Sequence, residues 1–192
     1  MAEMATDYAE GIRRWFAGPI DVLGVSTGGS VALQLAADHP DVVRRLVLVS
    51  SACRLAPQAR HSQRELARYL AEGDLRHAGI AMNAVLGTGP VSDWMWKGLG
   101  WLTGPRMFAG GAPDMCATIE AEDAYDLTDR LSGIRVRALV VGGDRDAAYG
   151  AALFRETAEG LPSGKLLLYS RTGHVGVQAR RRFVPDVLRF LS

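Results

Sequence analysis

The sequence predicts an α/β fold: a parallel sheet flanked by helices, with an all-helical insertion between two of its strands. Three observations predict it. Short apolar runs at residues 20–25, 45–49, 136–141 and 165–169 have the length and near-continuous apolarity of strands buried on both faces. Helical patterns with short connections separate them, as expected for parallel strands joined by crossovers. Residues 53–126 break that rhythm and read as helical throughout.

Taken in order, the chain opens on a helix in which Met4, Tyr8, Ile12 and Trp15 or Phe16 recur at helical spacing and Gly18-Pro19 ends the run. The first strand, with Ile20, Val22, Leu23 and Val25, stops on Ser26. A helix carrying Val31, Leu33 and Leu35 with Ala32, Ala36 and Ala37 starts at once and is closed near Asp38 by His39-Pro40. The second strand leads into Ser50-Ser51-Ala52. In the insertion, Leu66, Tyr69 and Leu70 form one stripe, Ile80, Met82, Val85 and Leu86 another, and Trp94, Trp96, Leu99, Trp101 and Leu102 a third. Gly89-Pro90, Gly104-Pro105 and Gly110-Gly111 punctuate them. This divides the chain into a core of residues 1–52 and 127–192 and a lid of residues 53–126. The lid's Met82, Trp94, Met95, Trp96, Trp101, Met107 and Met115 supply soft, flat surface suited to an apolar pocket. The third strand ends on Gly142-Gly143-Asp144-Arg145-Asp146, and a helix near residues 151–159 precedes the fourth. That strand runs on to Gly173-His174, and an amphipathic helix with Phe183, Val187, Leu188, Phe190 and Leu191 closes the chain.

Gly24-Val25-Ser26-Thr27-Gly28 is a G-x-S-x-G pattern between a strand and a helix. A serine on so sharp a turn takes strained backbone geometry. Gly24 and Gly28 are therefore expected to be small so that strand and helix can approach. The Thr27 amide lies at a helix N-terminus, which favours negative charge. Ligands of open parallel sheets bind beyond the carboxyl ends of the strands. Three chemically matched groups fall there: Ser26, then Asp144 or Asp146, then His174. An imidazole removes a serine proton best when an acid fixes its tautomer.

These segments, with residues 126–134 as a return from lid to core, resemble the α/β-hydrolase fold family. The resemblance implies Ser26 as nucleophile, Asp146 as acid, His174 as base and the Thr27 amide as one oxyanion donor. No carboxylate directly follows the second strand. His39 reads as a helix-terminal residue, and His61 and His77 as lid residues. The resemblance covers the family's portion from the helix before the serine strand onward. Only 25 residues precede Ser26, and no His-Gly pair, the family's common source of a second oxyanion donor, occurs. The serine strand is accordingly expected to have one unpaired edge, open to a second copy or a completing chain.

Composition narrows the partners. A net charge of +1 with mixed signs gives no basis for nucleic acid or an anionic membrane as partner. No stretch approaches transmembrane length. The two isolated cysteines, Cys53 and Cys116, fit reduced thiols in the cytoplasm and lack metal-ligand spacing. With no G-x-G-x-x-G fingerprint, no cofactor is expected. The expected function is hydrolysis of esters, thioesters or related acyl compounds with a small apolar acyl substrate. The competing reading is a non-catalytic relative serving as an interaction module.

Overall fold

The computed structural model describes residues 1–84, 86, 90–110 and 112–192, the side chains of residues 90 and 91 excepted. Val85 of the second insertion stripe, and Gly89 and Gly111 of the punctuating pairs, lie outside the described residues.

Among the described residues the sheet has four parallel strands in chain order. They are β1 (Ile20–Val25), β2 (Val43–Val49), β3 (Arg137–Gly143) and β4 (Gly164–Tyr169). Helix α1 (Ala2–Trp15) precedes β1, and α2 (Thr27–Asp38) crosses from β1 to β2. Between β2 and β3 come α3 (Pro57–Glu72), α4 (Leu75–Asn83), α5 (Pro90–Met107) and α6 (Pro113–Asp123). Helix α7 (Gly150–Gly160) joins β3 to β4, and α8 (Phe183–Leu191) ends the chain.

One side of the sheet carries the main core. Leu46, Leu48, Ala138 and Val140 pack there against α1, α2 and α7. Phe154 of α7 is fully buried, and its ring covers Gly142 where a Cβ would otherwise stand. On the other side Val47, Val49, Leu139 and Val141 meet Val177 and the α8 residues Val187 and Phe190. That second layer does not reach β1, whose Leu23 and Val25 stay 45% and 37% exposed. The first strand is therefore buried on one face only, contrary to its apolar run. Among the described residues it pairs with β2 alone, and it is tethered there by a fork of Arg44 on Asp21 at 2.8 and 2.6 Å. The Arg44 guanidinium holds the Asp21 carboxyl below the usual carboxylate range.

Two expectations about helices need correction. In α1 the buried face is Ala5, Ala9 and Ile12, while Met4, Tyr8, Trp15 and Phe16 are exposed. Small side chains let α1 approach α2 closely, so the larger stripe is turned outward. Gly104-Pro105 does not end a helix, because α5 continues to Met107 with Pro105 inside it. Proline leaves the carbonyl four residues back without its helical donor. That carbonyl, on Trp101, instead accepts from the Arg76 guanidinium at 3.3 Å.

Helices α4 and α5 meet backbone to backbone, since a Cβ on Gly79, Gly100 or Gly104 would collide with the facing chain. The insertion has its own core of Leu66, Ala78, Phe108 and Ile119. Its two ends are pinned where Arg54 bridges Asp126 and the Leu127 amide donates to the Cys53 carbonyl at 2.9 Å. Among the described residues no helix is long and apolar enough to cross a membrane.

Replacing Phe154 by alanine is expected to cost about 3–5 kcal/mol in urea unfolding, because its cavity lies over the centre of the sheet. Leu23→Ala is expected to cost less than about 1 kcal/mol. A large loss for Leu23→Ala would show that the outer face of β1 is covered in solution.

Candidate active site

Parallel strands in register place their carboxyl ends along one edge of the sheet. Val25 lies opposite Val49, Val49 opposite Val141, and Gly143 opposite Tyr169. The chain leaves each of the first three strands through a bond to its neighbour: the Ser26 amide donates to Val49, Ser50 to Val141 and Asp144 to Tyr169. Ser26, Ser50 and Arg171 all hold positive φ, of 51°, 48° and 53°. Backbone strain collects at functional edges, and among the described residues every non-glycine positive φ lies at or just past a strand's carboxyl end.

Ser26 sits at the apex between β1 and α2 with φ 51° and ψ −125°. Its carbonyl accepts from the Gly29 amide at 2.8 Å. A Cβ on Gly24 would overlap Gly28 and lie 2.6 Å from the Gly29 Cα. A Cβ on Gly29 would strike Ser51, with the Ser51 hydroxyl oxygen 2.6 Å away. Gly28 has open space at the same position. The close approach thus requires Gly24 and Gly29, and the steric role expected of Gly28 belongs to its neighbour. One residue's rotation around α2 turns Gly28 to solvent and Gly29 toward β2.

The Ser26 hydroxyl donates to His174 Nε2 at 2.9 Å, and His174 Nδ1–H donates to Asp146 Oδ2 at 2.9 Å. The Asp146 side chain is fully buried and that of His174 is 10% exposed, so their bond is charge-assisted and shielded from water whenever the ring is protonated. The other Asp146 oxygen accepts from the amides of Ala148 at 2.8 Å and Tyr149 at 3.2 Å. Asp144, the alternative acid, accepts from the Thr172 amide at 3.2 Å and serves the turn. Two further contacts hold His174. The Ser50 hydroxyl donates to its carbonyl at 2.8 Å, and the Tyr149 ring stacks on the imidazole with centroids 6.0 Å apart. Burial pushes the Tyr149 hydroxyl well up, keeping it protonated. Thr27, the first residue of α2, has an amide with no intrahelical acceptor.

Ser26, Thr27 and His174 open into a cavity of about 520 Å³ between the strand ends and the insertion. Its wall is mostly apolar, with Leu66, Met82, Met107, Met115 and Ile119. Met82, Met107 and Met115 line the cavity as expected of a soft pocket, whereas Met95 and the tryptophans do not. Trp94, Met95 and Trp101 lie 78%, 55% and 46% exposed. Trp96 lines a separate groove with Arg171 and Arg180. The glycines Gly100 and Gly104 of α5 pack on α4. His39, His61 and His77 stay outside the cavity; His39 caps α2 beside Thr6 and His77 pairs with Asp74 at 2.7 Å. Among the described residues no group of three His, Cys, Asp or Glu is placed to hold a metal.

Sequence reasoning missed Ser50, Tyr149, Gln63 and Glu122. Glu122 had a usable signal, since it stands three residues after the buried Ile119 on the same face of α6. Tyr149 had none, because only the loop after Asp146 carries its ring under His174.

The family described as serine aminopeptidase, S33, matches residues 2–175. A putative carbamate hydrolase RutD of Rhizobium rhizogenes is 29% identical over 199 residues, covering 100% of this chain and 74% of that protein. A pimeloyl-(acyl-carrier protein) methyl ester esterase of Neisseria meningitidis is 29% identical over 174 residues, covering 86% of this chain and 66% of that protein. The chain therefore spans about two thirds to three quarters of the length of these relatives. The enol-lactonase of Burkholderia xenovorans superposes with a TM-score of 0.74 at 22% identity, over 97% of this chain and 71% of that one. A putative non-heme bromoperoxidase of Mycobacterium tuberculosis gives 0.76 at 24%, over 97% and 72%. These structural likenesses show the fold.

Gly24→Ala and Gly29→Ala are each expected to destabilise by about 1–3 kcal/mol or more through overpacking. Gly28→Ala is expected to be neutral or to stabilise by up to about 1 kcal/mol, as glycine gives way to a better helix former. Thermal unfolding of the three variants checks the assignment, and a Gly28→Ala loss matching the other two would contradict it.

Proposed function

The chain belongs to the serine aminopeptidase S33 family of α/β-hydrolases, and from that membership we propose that it is a serine hydrolase of esters, thioesters and related acyl compounds. The observation that carries the proposal is the unbroken hydrogen-bond line from the Ser26 hydroxyl through both nitrogens of His174 to buried Asp146.

In this reading Ser26 Oγ attacks the acyl carbonyl while His174 Nε2 takes its proton. Asp146 holds the imidazole in the tautomer with its free nitrogen toward Ser26 and stabilises the cation that forms. The Thr27 amide, at the positive end of α2, donates to the oxyanion of the tetrahedral intermediate. His174 then protonates the leaving oxygen or sulfur as that bond breaks. Water, deprotonated by the same imidazole, attacks the acyl-Ser26 ester and releases the acid, returning the proton to Ser26. The helical insertion acts as a lid, and its methionine-lined wall receives the acyl or leaving group. Esterase-type names among the relatives support the reaction class. The free thiols of Cys53 and Cys116 support a reducing, cytoplasmic setting.

The open edge of β1 favours a second reading, in which the fold acts as a partner module and catalysis requires a strand added beside β1, from a second copy or another chain. The two readings separate in one experiment.

A fluorophosphonate probe is expected to label the purified protein once, at Ser26, and to fail on Ser26→Ala and His174→Ala. Asp146→Asn is expected to slow ester turnover by a factor on the order of 10³–10⁴ through the wrong tautomer. A folded wild-type chain that resists the probe overturns the stand-alone hydrolase in favour of the second reading.

A further inference from the structure

A second groove, of about 400 Å³, adjoins the candidate active site. Leu86 lines both spaces, and the loop after β4 runs between them: His174 lines the cavity, while its neighbours Gly173 and Val175 line the groove. The two spaces differ in charge. Among the described residues no lysine or arginine lines the cavity, where Asp114 and Glu122 stand. No aspartate or glutamate among them lines the groove, where Arg171 and Arg180 stand beside Trp96 and Val175.

Neither guanidinium is neutralised. Arg180 donates to the Thr172 hydroxyl at 2.8 Å and to the Ser170 carbonyl, both uncharged acceptors. Among the described residues the Arg171 side chain has no hydrogen-bond or ion-pair partner. The nearby acids are engaged elsewhere. Asp144 accepts from the Thr172 amide at 3.2 Å, and Asp186 pairs with Arg189 at 3.1 Å while accepting from the Tyr169 hydroxyl. Arg181 and Arg182 follow directly in the sequence, and a field of one sign concentrates ligands of the other. The groove is also formed in advance. Thr172 is buried, with its amide held by Asp144 and its carbonyl by the Arg145 amide, so Arg180, tied to its hydroxyl, loses little further freedom on binding. Arg171 stands at φ 53°, where glycine or asparagine would be less strained. Strain at a side chain that supports nothing in the fold directs attention to a ligand.

We propose that Arg171 and Arg180 form a subsite for an anionic head group, a phosphate or a carboxylate, on the leaving side of the substrate. In the proposed hydrolysis the leaving atom takes its proton from His174 Nε2, so it departs beside the imidazole. The groove begins at the residues on either side of that histidine. The acyl group then occupies the methionine-lined wall, which offers an anion no cation, and the head group lies against the guanidiniums, whose forked donors match phosphate and carboxylate oxygens. The inference rests on the hydrolase reading for the direction of the substrate, but the subsite is read by binding alone.

The test uses Ser26→Ala protein, which binds without turnover, and calorimetric titration with butyrate esters of phenols that differ in one substituent: methyl, carboxymethyl or phosphonomethyl. At low salt at least one anionic ester is expected to bind about five- to tenfold tighter than the neutral one. The larger of the two ratios identifies carboxylate or phosphate as the head group. Adding Arg171→Gln, which breaks no hydrogen bond or ion pair, is expected to collapse that ratio, and Arg180→Gln to lower it. Arg181→Gln, which changes the net charge equally but lies outside the groove, is expected to leave most of it. Thermal unfolding confirms that each variant is folded, and where Arg180→Gln loosens the loop around Thr172, Arg171→Gln decides. Equal binding of all the esters, a preference that survives Arg171→Gln, or an equal loss in Arg181→Gln overturns the subsite. Fluorophosphonate labelling of the chain with intact Ser26 reports on the hydrolase reading separately, so either can fail alone.

Discussion

Ser26 holds a backbone conformation that costs a serine on the order of 1–3 kcal/mol, and the arrangement of the site depends on that conformation being held. Two glycines let it happen. Gly24 allows the end of β1 to touch the first turn of α2, and Gly29 allows that turn to touch Ser51 beyond β2. The Ser26 amide bonded to Val49 then fixes the apex to the neighbouring strand. With the apex fixed, the hydroxyl is presented at the sheet edge rather than folded back over α2. The other two members arrive by register alone, since β3 and β4 end on the same line as β2 and deliver Asp146 and His174 from their following loops. The strain is thus local, while its support is spread over three strands and a helix.

Support for His174 is layered in the same way. Its side chain is held at both nitrogens, its carbonyl by Ser50 and its ring face by Tyr149. Ser50 is itself at positive φ, so one strained serine anchors the residue that addresses another. Asp146 is fixed by two loop amides as well as by the imidazole. A carboxylate that accepts three hydrogen bonds in a buried loop has little freedom to rotate, and that immobility preserves the tautomer of the ring it faces.

The strands, the connecting helices and the three polar residues at strand ends were legible because each leaves a local mark: an apolar run, a periodicity, or a reactive side chain after glycine. What was not legible depended on facing surfaces. Met4 and Tyr8 share their spacing with Ala5 and Ala9, and only the close approach of α1 to α2 selects the small pair. Gly28 and Gly29 are adjacent, and the turn of α2 relative to Ser51 decides which is needed. Pro105 reads as a stop, yet an arginine from α4 satisfies the carbonyl it strands. The insertion's tryptophans fit a pocket by type, but Trp94 and Trp101 are exposed and Trp96 lines a separate groove. Glu122 and Gln63 meet from different helices, 59 residues apart in sequence, and no periodicity reports such a pairing.

The open edge of β1 and the geometry of the triad are physically separable. Ser26 is fixed by α2, through the close approach at Gly24 and the Gly29 amide, and from the β2 side by the Val49 carbonyl, the Gly29 contact with Ser51 and the Arg44 fork on Asp21 farther down the strand. The exposed side carries Leu23, Val25 and the outward stripe of α1, which form a shallow apolar groove with Met4 and Tyr8. A strand added there would bury that groove and pair the free backbone groups of β1. It would reach Ser26 only by stiffening a strand whose far side already holds the apex in place. Completion of the edge therefore bears on the stability of β1, whereas the serine–histidine–aspartate line is assembled by the carboxyl ends of the strands, with β1 and α2 placing Ser26 and the loops after β3 and β4 placing Asp146 and His174.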